Sequence, residues 1–185
     1  MRRQAERMTG IIRDLLELSR LEETDEVVGG TPIDVAALLA LLRKDVLARP
    51  SHPHEVRVRI ESAAQLIGDE PEIHSAFSNL VDNAAKYTPP EGSIEMRWWT
   101  DEQGGHLAVA DTGFGIPSEH IPRLTERFYR VDAGRSRATG GSGLGLAIVK
   151  HVLQRHGARL EVQSTLGEGS TFTCHFAPER LALPE

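Results

Sequence analysis

The chain has 185 residues, 39% of them hydrophobic and 26% charged, with a formal net charge of −6, which suits one globular domain plus an extra element. The acidic balance argues against sequence-independent nucleic-acid binding, which needs a basic surface, and no apolar run approaches the length of about 18 residues that a membrane span requires. A basic amino end without an apolar core is no secretion signal, so the composition fits the cytosol.

Residues 4–23 read as one amphipathic helix, with Met8, Ile11, Ile12, Leu15 and Leu18 at helical spacing. At about 1.5 Å per residue it would be roughly 30 Å long and, alone in water, marginal, so its stripe must be buried on something. The acidic stretch from Glu22 to Gly30 ends in Gly-Gly and reads as a hinge. Val35 to Val46 is a helix closed by Arg49-Pro50, and Glu55 to Ile60 alternates as a half-buried strand. Leu66-Ile67 is a short strand. Asp69 then caps a helix, with Glu72 placed as in a capping box, and the helix runs to Tyr87 before Pro89-Pro90. Its apolar stripe is Ile73, Ala76, Phe77, Leu80, Val81 and Ala84.

Ile94 to Thr100 and Leu107 to Asp111 form a hairpin around residues 101–105. A short helix is expected over Pro117 to Arg127, a mobile loop over 129–142, and a helix over Leu144 to His156. Strands Leu160 to Gln163 and Thr171 to Phe176 flank the turn at Gly167-Glu-Gly169. Cys174 is the only cysteine, which excludes an internal disulfide and a thiolate zinc site. Its alternation with Phe172 and Phe176 marks a buried small hydrophobe. About three helices and five or more mostly antiparallel strands make an α+β fold, a two-layer α/β sandwich behind one long amphipathic helix.

Three stretches carry chemistry. Asn79, Asn83 and Lys86 fall at i, i+4 and i+7 on one helix face; an asparagine carbonyl suits Mg²⁺, and the lysine suits phosphate, although a solvated polar face has the same pattern. Asp111 ends a strand beside Thr-Gly-Phe-Gly, where a carboxylate can accept from the exocyclic amine of adenine or simply close an Asp-Gly turn. Gly140 to Gly145 precedes a helix whose unpaired N–H groups and positive dipole end favour a polyanion, but the spacing is neither a P-loop nor a dinucleotide fingerprint.

In this order the three stretches resemble the N, G1 and G2 boxes of the ATPase domain shared by histidine kinases, gyrase, Hsp90 and MutL, which has the Bergerat (GHKL) fold. Glu126-Arg-Phe128-Tyr-Arg130 resembles the kinases' F box and Gly167-Glu-Gly169-Ser-Thr-Phe172 their final glycine box. Residues 1–28 are similar to the second helix of the dimerisation hairpin, which leaves 29–185 as the catalytic domain. Residues 121–132 and 140–151 further resemble the phosphate-regulon sensor kinases. The resemblance implies that Asn83 binds Mg²⁺ with Asn79 in support, and that Lys86 and Tyr87 contact phosphates and sugar. It also implies that Asp111 reads adenine while Gly113 and Gly115 shape its pocket. Residues 129–142 would form an ATP lid, with Gly141, Gly143 and Gly145 touching phosphate and Arg135 or Arg137 reaching the γ-phosphate. It extends nucleotide contact to Ile116, Phe128, Ser142, Leu144, Leu146 and Thr171.

In the gyrase and Hsp90 relatives a glutamate four residues before the metal-binding asparagine activates water. Here that position is Asn79, which is no general base. The resemblance therefore implies transfer of the γ-phosphoryl to a hairpin histidine, for relay to a response-regulator receiver domain, rather than hydrolysis. None of the eight histidines has the acceptor's sequence setting, and His52-Pro-His54 lacks a third metal ligand, so an amino-terminally truncated piece is expected. The full kinase would be anchored in the inner membrane and dimerise through its hairpin helices; the fragment itself would touch neither membrane nor nucleic acid. The rival expectation is a non-catalytic, ATP-gated interaction module of the same fold.

Overall fold

The computed structural model describes residues 2–24, 26–131 and 141–184. In chain order the elements are α1 (Arg2–Glu22), β1 (Thr31–Ile33), α2 (Val35–Leu47), β2 (Glu55–Ile60), β3 (Gln65–Gly68), α3 (Glu70–Tyr87), β4 (Ser93–Asp101) and β5 (Gly104–Asp111). A 3₁₀ turn (Ser118–Arg123), α4 (Gly145–Arg155), β6 (Arg159–Thr165), β7 (Gly169–Phe176), a second 3₁₀ turn (Pro178–Arg180) and β8 (Leu181–Ala182) complete them. The larger sheet has the order β2-β4-β5-β7-β6, with β2 parallel to β4 and every other pair antiparallel; β1, β3 and β8 form a small antiparallel sheet.

Period-two alternation turns Ile94, Met96 and Trp98 of β4, Leu107 and Val109 of β5, and Phe172, Cys174 and Phe176 of β7 inward. The apolar stripes of α2, α3 and α4 cover that face, and Phe77 of α3 meets Phe176 edge-on with ring centroids 6.2 Å apart. Cys174 is fully buried and its thiol pKa is pushed up to about 12, so it packs as a hydrophobe.

Local expectations change in four places. The segment after Pro117 is a 3₁₀ turn ending at Arg123 rather than a helix to Arg127, because Pro122 brings no N–H to continue the ladder. The small sheet is built mostly from two- and three-residue strands, too short to show alternation. The Glu22–Gly30 hinge is fastened: Val28 N–H donates to the Arg155 carbonyl at 2.9 Å, and the Arg180 guanidinium to the Gly29 carbonyl at 3.0 Å. Finally, only the carboxyl end of the α1 stripe, Leu18 and Leu21, is buried, where α1 packs on α4; Met8 and Ile12 remain 63% and 54% exposed.

The capping box at α3 is half formed. Asp69 Oδ1 accepts the Glu72 N–H at 3.0 Å, but the Glu72 carboxylate, 4% exposed, turns away to Arg155 at 3.0 Å and Arg20 at 3.7 Å, tying α4 and α1 to α3. The Asp69 N–H donates instead to His156 Nε2 at 3.1 Å. His156 is 1% exposed, and its Nδ1–H donates to the Val152 carbonyl at 2.7 Å, so the ring is held neutral with Nε2 as acceptor. Burial lowers its pKa. The unfolded chain therefore takes up the proton first as the pH falls, and folding stability is expected to decline below about pH 6.5. Denaturant titrations across that range should show a shallower decline in His156→Gln, with His175, also lowered by burial, supplying the rest. An unaltered slope would remove His156 from the account.

Candidate functional site

Alternation along β5 puts Asp111 on the same inward side as Leu107 and Val109, at the strand's end, where its register partners are Ile94 and Ser170. Asp111 Oδ1 accepts the Gly113 N–H at 2.8 Å. Burial raises the pKa of this carboxyl, opposed by hydrogen bonds from the Gly113 and Ser170 N–H groups. The turn beyond is pinned by Phe114 N–H to the Tyr87 carbonyl at 3.2 Å and Ile116 N–H to Ser164 Oγ at 2.8 Å.

Across from it, α3 presents Asn79, Asn83 and Lys86 on one face, as their spacing predicts. Asn79 Nδ2 donates to the Ser75 carbonyl at 2.9 Å, one turn back. Asp82 is ion-paired with Arg49. Burial lowers the Lys86 pKa, partly offset by Asp82 and Asp14 and reinforced by Arg130 and Arg49. The backbone at Gly141 passes so near that a Cβ there would lie 2.6 Å from Lys86 Nζ.

The glycine-rich turn leads directly into α4. Ser142 Oγ accepts the Leu144 N–H at 3.1 Å and donates to Asp14 Oδ2 of α1 at 2.6 Å. Phe128, in the left-handed region at φ 60°, donates its N–H to the Gly143 carbonyl at 2.9 Å.

These groups enclose a cavity of about 590 Å³. Asn79, Asn83, Lys86, Tyr87, Asp111, Gly115, Ile116, Gly141, Ser142, Gly143, Gly145 and Leu146 all line it. Four expected contacts do not. Gly113 sits behind Asp111 and holds it, and Leu144 is fully buried under the turn. Thr171 points to the opposite side of β7 from the lining residues Ser170 and Phe172, which alternation alone foretells. Phe128 is 56% exposed and faces out. Arg135 and Arg137 lie outside the described residues.

The wall also contains residues that sequence reasoning missed. Tyr129 and Arg130 enter it only within the F-box likeness, and His120, Phe114 and Leu124 carry no local signal. Glu6, Gly10 and Asp14 of α1 line the cavity too, and their i, i+4, i+8 spacing on a face beside the apolar stripe was a legible sign. Chemically, the cavity joins a carboxylate at one end to an ammonium and a helix N-terminus at the other, with amides between them. Among the described residues no three His, Cys, Asp or Glu side chains cluster as a metal site, and no helix is long and apolar enough to cross a membrane.

The family profile described as histidine kinase-, DNA gyrase B- and HSP90-like ATPase matches residues 68–180. The phosphate regulon sensor protein PhoR of Pseudomonas aeruginosa is 57% identical over 186 residues, taking in 100% of this chain but 42% of the relative, so the chain spans less than half of that protein. Among solved structures, the mycobacterial sensor histidine kinase MprB aligns with a TM-score of 0.69 at 32% identity, over 80% of this chain and 97% of that one. Full-length ShkA in complex with AMPPNP aligns with a TM-score of 0.76 at 26% identity, over 94% of this chain and 36% of that one.

Proposed function

The chain belongs to the histidine kinase-, DNA gyrase B- and HSP90-like ATPases and carries the ATP-binding catalytic domain of a sensor histidine kinase, and from that premise we propose that it binds Mg-ATP in the cavity and passes the γ-phosphoryl to a histidine on a dimerisation hairpin. The observation that carries this reading is the placement of Asp111, Lys86 and the α4 N-terminus around one cavity of about 590 Å³. Asp111 accepts from the adenine amine, Tyr87 lies toward the sugar, and Lys86 with the Gly141–Gly145 backbone faces the phosphates. Asn83 would hold Mg²⁺ through its amide oxygen, a hard ligand of the kind that ion prefers. There it would supply charge neutralisation at the phosphates.

Transfer is favoured over hydrolysis by the state of the polar groups on the phosphate side. Asn79 is no base and its amide is tied to Ser75; Asp82 is paired with Arg49, and Asp14 takes the Ser142 hydroxyl. With Asn79 unable to activate water, the role this reading gives the protein is positioning and charge stabilisation. Residues 1–28 are assigned to the second hairpin helix and 29–185 to the catalytic domain. The hairpin dimer and a response-regulator receiver domain are the partners, and the cytoplasm is the compartment.

The test is transfer in trans. This chain with Mg-ATP and a hairpin fragment carrying the acceptor histidine should yield phosphohistidine, while the chain alone hydrolyses ATP slowly. Rapid hydrolysis without acceptor would overturn the argument from Asn79. ATP binding with no transfer would favour the non-catalytic, ATP-gated module instead.

A further inference from the structure

A side-chain pair in the wall of the cavity joins the turn after β5 to the segment that leads toward the glycine turn. His120, in the 3₁₀ turn Ser118–Arg123, shares a hydrogen bond through Nδ1 with the Tyr129 hydroxyl, and their ring centroids are 6.0 Å apart. Both rings line the cavity and both are half-buried. Tyr129 is gripped a second time by Arg123, whose guanidinium lies 4.3 Å from the ring centroid and is itself forked onto Glu126 at 3.1 to 3.3 Å. The phenol is therefore held by its hydroxyl and by its face.

The two partners belong to different parts of the site. His120 rides on the turn that follows Asp111: its N–H donates to the Pro117 carbonyl at 3.0 Å, and Ile116, just before Pro117, is fixed to Ser164. Tyr129 directly follows Phe128, whose N–H is bonded to the Gly143 carbonyl of the glycine turn. The side-chain bond thus ties the segment that follows the carboxylate to the segment bonded to the glycine turn, between residues nine apart in the chain with no regular element after Arg123.

We propose that His120 is a positioning residue for the nucleotide: by holding Tyr129 at the rim, it sets the span between the base-reading carboxylate and the phosphate-facing turn. The inference rests on the reading of the cavity as an ATP site. With the bond intact the Tyr129 ring is already in place when the ligand arrives. Without it, binding must also freeze that side chain and leave a half-buried hydroxyl poorly paired. The loss therefore falls on affinity and leaves the transfer step largely untouched, because neither ring lies among the groups assigned to the γ-phosphate.

The test compares His120→Leu, His120→Asn, Tyr129→Phe and the double variant His120→Leu/Tyr129→Phe in the same chain. Calorimetry should show His120→Leu and Tyr129→Phe each weakening Mg-ATP binding by about tenfold, the size of one lost hydrogen bond. The double variant should be no weaker than either single one, since both remove the same bond. His120→Asn keeps a hydrogen-bonding atom near the Nδ1 position and should recover most of the affinity. Transfer in trans at saturating Mg-ATP should fall far less than affinity does. Additive losses, or unchanged affinity with only a lowered Tm, would overturn the proposal and leave the pair as a fold support. A parent chain that fails to bind Mg-ATP would sink the ATP reading itself. A parent that binds while every variant binds as tightly would sink only the role of His120.

Discussion

Asp111→Asn is expected to weaken Mg-ATP binding by about a hundredfold or more while melting no lower than the parent. The substitution keeps the shape of the side chain and an oxygen to accept the Gly113 N–H, now at 2.8 Å. What it removes is a buried charge. Burial raises the Asp111 pKa, so the folded chain holds the proton more tightly than the unfolded one. That contribution favours folding below an ordinary carboxylate pKa of about 3.9 and is lost as the pH rises through the higher folded value. At neutral pH the ionised carboxyl is a cost to the fold, and the neutral amide escapes it. Against adenine the balance reverses, because the amide either meets the exocyclic amine with a weaker, uncharged acceptor or turns an NH₂ toward another donor. Calorimetry and thermal melts on the same sample would check both halves. An Asp111→Asn variant that bound Mg-ATP like the parent would remove Asp111 from base recognition.

Gly113→Ala should fail in the opposite way, losing fold and ligand together. A Cβ at Gly113 would lie 2.2 Å from the Tyr87 carbonyl oxygen and 2.8 Å from Asp111 Oδ1. The first neighbour is backbone at the end of α3 and already accepts the Phe114 N–H, so it cannot rotate aside. An overlap of that kind costs roughly 3 kcal/mol, on the order of 10 °C in Tm for a domain of this size. The N–H that orients Asp111 moves with it, so affinity falls as well. Equal melting temperatures for Gly113→Ala and the parent would show that the turn can open without harm. The two variants together separate recognition from support: Asp111 carries the proposed contact to the base, and Gly113 holds Asp111 in place.

Legibility in the sequence followed the range of the interactions. α3 was readable from its Asp69 cap to Pro89-Pro90 because both signals are local, and β4 and β7 were readable because one face of each is more deeply buried than the other, while β5, buried on both faces from Gly104 to Val109, was readable from the hairpin turn before it. The same locality explains the site: the cavity wall on α3 and the glycine turn are contiguous stretches. What escaped depended on partners distant in the chain. Glu72 fits a capping box by spacing, yet Arg155 and His156, more than eighty residues on, take its carboxylate and the Asp69 N–H. Nothing local says that Asp14 meets Ser142; His120 and Tyr129 are near in the chain, but the irregular segment between them has no period that would foretell their meeting. Thr171 is a different failure, since a strict count along β7 puts it on the face away from the cavity.

Phe128 and Gly143, the residues that flank the stretch 129–142, are held together by a backbone hydrogen bond. The entropy of bringing its ends together is already lost before any ligand arrives, and it grows by only about 0.6 kcal/mol for each doubling of length. Lengthening the chain between Val131 and Gly141 should therefore cost little in closure entropy, and melts of such insertion variants would check it. Length is thus cheap for the fold between those edges, whereas the edges themselves are costly to alter, because Tyr129 is tied to His120 and Ser142 to Asp14.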